Sequence, residues 1–165
     1  MNKLFSIFFV SIVISFSCKS KEKVSQTDSS SAADTILLAS IERTPCFGKC
    51  ATYKISIYQS GYVVYEGKQH VKNIGLFSAQ LDKSKVEEIK KFISQNKILE
   101  MNDDYRNPHI ADYPGVITEA LLNGKYKYIA EADPQAPKEI KAFQKFLDSF
   151  FNDETSWIPL KDGVK

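Results

Sequence analysis

The 165-residue chain has no surplus of either charge: 22 Lys and Arg face 20 Asp and Glu. A nucleic-acid binder needs a concentrated basic surface, so this balance argues against one. Histidine is scarce. The two that occur, His70 and His109, stand at no ligand spacing, and neither a helical His-x-x-x-His pair nor a calcium-loop pattern is present. No phosphate-cradling glycine loop and no nucleophile paired with a base stands out. A stretch long enough to span a bilayer is missing too. The longest mostly apolar run, residues 4–17, has fourteen residues, against the roughly 20 that a spanning helix needs. These absences lead to an expectation of no enzyme, no metal and no cofactor.

What is present begins at the N-terminus. Lys3 precedes the apolar run, and the small-x-small triplet Ser15-Phe16-Ser17 stands just before Cys18. That layout is a secretory signal. The ending Ile14-Ser15-Phe16-Ser17-Cys18 resembles the bacterial lipobox in a relaxed form. Residues 1–17 are therefore expected to be removed, leaving Cys18 as the acylated first residue and a firm anchor without a membrane helix. Lys19 rather than Asp follows it, as is generally implied for lipoproteins passed to the outer membrane. The expected location is the cell envelope, lipid-anchored in the outer membrane and facing the periplasm. Lipidation also resolves an odd cysteine count. With Cys18 acylated, Cys46 and Cys50 remain as an even pair, expected to be bonded in an oxidising compartment.

Residues 19–34 contain one large apolar residue, Val24, among Ser, Lys and acidic residues, the composition of a flexible tether. Residues 18–35 are thus assigned to the lipidated cysteine and tether. An apolar fraction of 43% and an aromatic fraction of 12% suit a globular core, and residues 36–151 are long enough for one domain. A tail, 152–165, carries Trp157.

Within the domain, residues 51–58 alternate Tyr53, Ile55 and Ile57 with Thr52, Lys54 and Ser56, the period of a half-buried strand. Residues 36–43 form a plausible strand before it. The Gln59-Ser60-Gly61 turn returns the chain as 62–71, and 76–81 follows as a short strand. Asp82 or Ser84 caps a helix, with Ser84-x-x-Glu87 fitting a capping box and Val86, Ile89, Phe92 and Ile93 as its apolar stripe. After a turn-rich stretch at 102–114, residues 116–122 and 125–130 flank Asn123-Gly124, the clearest hairpin signal in the chain. A second helix opens at Pro137 with Ile140, Phe143, Leu147 and Phe150 on one face. The expected fold is α+β: an antiparallel sheet with two amphipathic helices on one face, in hairpin-helix-hairpin-helix order.

The sharpest motif is Thr44-Pro45-Cys46-Phe47-Gly48-Lys49-Cys50. As a structural disulfide it pins a loop between two strands, and closing so small a ring stabilises by about 2 kcal/mol in the chain-entropy model. A contact loop exposing Phe47 and Lys49 is a second reading. Metal binding with His70 or His109 is a third, and redox chemistry a fourth. Redox use needs a depressed thiol pKa, yet Cys50 runs into a strand rather than a helix N-terminus. Asp103, Asp104, His109 and Asp112 crowd the 102–114 loop, but Asp and Asn also favour turns for their own hydrogen bonding. The tyrosines at 53, 62, 65, 126 and 128 fit core packing better than an aromatic platform for glycan or peptide.

The run Ile41-Glu42-Arg43-Thr44-Pro45-Cys46-Phe47-Gly48-Lys49-Cys50-x-x-Tyr53, with Tyr58-x-x-Gly61 and Tyr65-Glu66-Gly67 after it, resembles an uncharacterised domain family common in bacterial lipoproteins. Asp112-Tyr113-Pro114, Asn123-Gly124-Lys125 and Ala136-Pro137-Lys138-Glu139 extend the resemblance over about residues 36–150. Ala51 departs from it, since the family usually has Pro there. The resemblance implies a domain of unknown function and no catalytic residue. The expected function is a non-enzymatic, membrane-anchored module binding an envelope protein or glycan. The alternative is a periplasmic redox or copper-binding protein using Cys46 and Cys50.

Overall fold

The computed structural model describes residues 35–151 and 155–160. The expected signal, Cys18 and the tether as far as residue 34 lie outside the described residues. Four strands come first: β1 (Leu37–Arg43), β2 (Thr52–Tyr58), β3 (Tyr62–Gln69) and β4 (Gly75–Gln80). Helix α1 (Lys83–Gln95) and a 3₁₀ turn (Ile98–Glu100) lead to β5 (Asp104–Arg106), β6 (Val116–Leu122) and β7 (Lys125–Ala132). Helix α2 (Lys138–Ser149) and β8 (Ile158–Pro159) close the order. The fold is α+β, with two helices and an eight-stranded sheet in the order β5-β7-β6-β1-β2-β3-β4-β8. Seven of the strands pair antiparallel, whereas β5 runs parallel to β7 at one edge. This short strand lies inside the turn-rich 102–114 stretch, where no strand was expected.

The turns explain why the hairpins close where they do. Asn123 and Gly124 both take positive φ, 52° and 75°, the backbone of a primed two-residue turn whose twist matches the strands it joins.

Strand β1 is central because it pairs with β2 on one side and β6 on the other. Register places Ala39, Ile41 and Arg43 on one face with Ile57, Ile55 and Tyr53 of β2 and with Ala120, Thr118 and Val116 of β6. Most of those side chains are buried and form one core cluster with Val86, Ile89 and Ile93 of α1 and Ile140, Phe143 and Leu147 of α2. The two helices meet through Phe92, stacked on Phe143 and Phe146 at centroid distances of 5.4 and 4.6 Å.

Three local expectations are corrected. Asp82 occupies the N-cap of α1 but makes no side-chain cap bond, and Ser84 lies inside the helix, so the capping box does not form. The Asp82 carbonyl instead accepts from the N–H groups of Lys85 and Val86. Pro137 is the N-cap of α2 rather than its first helical residue. Tyr126 and Tyr128 are exposed rather than in the core, because alternation along β7 turns Ile129 inward instead.

Candidate functional site

The stapled loop grows from the ends of β1 and β2. Thr44 fixes its base: its N–H and its hydroxyl both donate to the carbonyl of Gly115, at 2.9 and 3.1 Å. Cys46 and Cys50 are joined as a disulfide with their Cα atoms 5.8 Å apart. The Gly48 N–H donates to the Cys46 Sγ at 3.3 Å across the ring. Phe47 at the tip is 92% exposed, and Lys49 is exposed beside it. Pro45, Cys46 and Phe47 face Asp112 and Tyr113 across a notch of about 450 Å³. Two stretches singled out separately in the sequence, Thr44–Cys50 and Asp112-Tyr113-Pro114, thus meet at one end of the sheet. Asp112 holds a positive φ of 70° there, an uncommon conformation for a residue other than glycine.

Behind the loop stands a polar network. Arg43 and Tyr53 are register partners flanking the staple. The Arg43 Nε donates to the Tyr53 hydroxyl at 2.9 Å, and that hydroxyl donates to Asp148 Oδ1 at 2.7 Å. The Arg43 guanidinium closes the triangle on Asp148 Oδ2. Burial, and after it the charge and hydrogen bond of Asp148, push the Tyr53 phenol well above its ordinary range. Burial alone would lower the Arg43 pKa; the hydrogen bond and charge of Asp148 outweigh it, and the guanidinium is raised. Tyr53 therefore stays neutral and Arg43 charged, a positioning arrangement rather than a nucleophile.

Two further polar residues of α2 face the sheet. Gln144 Nε2 donates to the Thr118 hydroxyl at 3.5 Å. Lys141 pairs with Glu131 at 3.1 Å, where Glu131 is 2% exposed, and its ammonium lies 5.5 Å from the centre of the Tyr113 ring. Lys141, Gln144 and Asp148 follow the helical period that brings residues onto one side. They run beside the apolar stripe, so helix periodicity held the signal for this row. Their partners across the sheet were invisible in sequence.

The acidic loop does not converge. Asp103 pairs with Lys127 and Asp104 with Arg106, while the His109 N–H is bound by the Asn107 side chain. The hydrogen bonds of Arg106 pull the Asp104 carboxyl down to about 2. Among the described residues no group of three or more His, Cys, Asp or Glu side chains is placed to hold a metal ion.

Comparison with curated proteins finds no match. Comparison with known families matches residues 38–151, from the second residue of β1 to just past α2, and so takes in the staple, the polar network and both helices. With most of its length covered, the chain belongs to the family described as Domain of unknown function (DUF6438).

Proposed function

We propose that this protein is a lipid-anchored envelope module, tethered through acylated Cys18 in the outer membrane and facing the periplasm, that binds a partner protein without catalysis. The stapled loop is its contact surface. The observation that carries this is Phe47, 92% exposed at the tip of a loop pinned by the Cys46–Cys50 bond and by Thr44. An apolar ring held out on a loop with few conformations loses little entropy when a partner covers it, which is how binding hot spots gain affinity. Lys49 adds a charge beside the ring, and the notch toward Asp112 and Tyr113 offers a partner side chain a place to insert. Within this function Cys46 and Cys50 are a staple. The anchoring half rests on the lipobox-like ending at Cys18 and the polar spacer after it.

Incorporating a photoreactive benzophenone amino acid at position 47 in cells tests the contact surface. A discrete cross-linked species is expected, absent when the probe sits at exposed Gln95 on α1. Equal or no cross-linking at the two positions overturns the loop as the contact. Cys18→Ser is expected to leave the precursor unprocessed or to shift the protein to the soluble fraction; unchanged membrane association overturns the anchor.

A further inference from the structure

The notch beside the stapled loop carries a charge that the chain itself leaves unmet. Of the three aspartates in the 102–114 stretch, Asp103 is met by Lys127 and Asp104 by Arg106. Asp112, one wall of the notch, is exposed, and its carboxylate has no ion-pair or hydrogen-bond partner among the described residues. Lys49 is exposed on the loop but is not among the residues lining the notch, so it leaves that carboxylate free.

The other walls are apolar or aromatic: Pro45, Cys46 and Phe47 on the loop, and Tyr113 opposite. Both rings stand on fixed supports. The Cys46–Cys50 bond and the contacts of Thr44 to Gly115 hold the loop that carries Phe47. Tyr113 also lines a second cavity of about 290 Å³, and there its hydroxyl accepts from the Lys141 ammonium at 3.5 Å. Lys141 is tied in turn to buried Glu131 at 3.1 Å. Charges in that second cavity are met within the chain, Lys141 by Glu131 and Arg43 by Asp148. Asp112 is left to set the charge that the notch selects.

Desolvation fixes the sign. A partner that covers Phe47 and fills the notch strips water from Asp112, and a carboxylate desolvated without a counter-charge is strongly disfavoured. The partner must therefore bring a cation. Between the two cationic side chains, shape decides. A guanidinium is planar, stacks on aromatic faces, gives two parallel hydrogen bonds to one carboxylate and is more weakly hydrated than an ammonium.

We infer that the notch receives an arginine side chain of the partner protein, its guanidinium paired with Asp112 and lying against Tyr113 and Phe47. The inference rests on the stapled loop as the contact surface and names what that surface recognises.

The purified full chain, labelled with nitrogen-15, is titrated to millimolar concentrations with the capped tripeptide acetyl-Gly-Arg-Gly-amide. Its lysine and citrulline counterparts serve as comparators, since citrulline keeps the planar end and removes the charge. Saturable shifts of the Phe47 and Tyr113 amide signals are expected with the arginine peptide, weaker ones with lysine and none with citrulline. Asp112→Asn keeps the side chain's size in a residue type that tolerates positive φ, and is expected to weaken the arginine peptide about tenfold. Asp104→Asn is expected to leave its affinity unchanged. Absence of saturable binding, equally tight binding of either comparator, or unaltered affinity in Asp112→Asn overturns the inference. In cells, Asp112→Asn is expected to lower the yield of the species cross-linked through position 47. A species whose yield it leaves unchanged overturns the arginine while the loop stands as the contact. If no species forms at position 47, the contact surface fails and the arginine with it.

Discussion

At the scale of single residues, Tyr53 carries more than its place in an alternating strand suggests. Its ring lies over the core, and its hydroxyl stands between a guanidinium and a carboxylate. Tyr53→Phe keeps the ring and leaves Asp148 one donor short. The expected cost is about 1.5–3 kcal/mol at neutral pH, typical for a hydrogen bond to a charged group, measured by urea unfolding. The pH dependence has a definite sign. Because the folded phenol is raised above the ordinary tyrosine value of 10.0, its contribution is fully present below that pH. It fades above it, where the unfolded chain ionises and the folded one does not. The gap between the wild-type protein and Tyr53→Phe should therefore shrink from neutral pH toward pH 11. A gap that widens there would contradict the neutral, buried phenol. None of this was visible in the sequence. Tyr53 read as one apolar beat of a strand, and Arg43 and Asp148 as unremarked charges, because a contact spanning 95 residues leaves no local pattern.

At the scale of elements, periodicity carried most of the information. The expected strands at 36–43, 51–58, 116–122 and 125–130 differ from the observed ones by no more than two residues at either end. Alternation and turn chemistry are local, and strand ends follow them. Both helices also lie where their stripes put them, though their caps differ, since a cap depends on backbone conformation at one residue. The element that binds the fold together is α2. Phe143 and Leu147 are fully buried, whereas Phe146, one turn of the helix beyond Phe143, is half-buried and stacks on Phe92. Phe143→Ala should cost about 3–5 kcal/mol, since the cavity adds to the lost transfer energy. Phe146→Ala should cost clearly less, because water fills part of the space. Denaturant titration of the two variants checks the order, and a larger loss at Phe146 would mean that the helix pair, not the sheet interface, holds the core.

At the scale of the whole molecule, the sheet is assembled from distant pieces. Strand β1 waits for β6, far along the chain, and the edges are closed by two short strands, β5 and β8, that sequence periodicity is too brief to reveal. A strand of two or three residues holds no alternation to read, so its position comes only from the edge it covers. The C-terminal strand shows what such an edge closure does. Ile158 and Pro159 lie against Ser78 and Phe77, the Leu160 N–H donates to the Leu76 carbonyl at 2.9 Å, and Trp157 is thereby laid over Tyr65. Without that segment, β4 would present an unpaired edge and Tyr65 would lose one face of its packing. The family match ends at residue 151, before this segment begins, so the core cluster of sheet and helices should persist without it. A chain ending at Phe151 is expected to keep its far-ultraviolet circular dichroism and to melt cooperatively at a lower temperature. Its amide exchange should be faster in Gly75–Gln80 than in Leu37–Arg43, because β1 stays paired on both sides while β4 loses its outer neighbour. Uniform acceleration across both strands, or loss of the cooperative melt, would instead make the segment part of the folding unit and place Trp157 among the residues that hold the domain together.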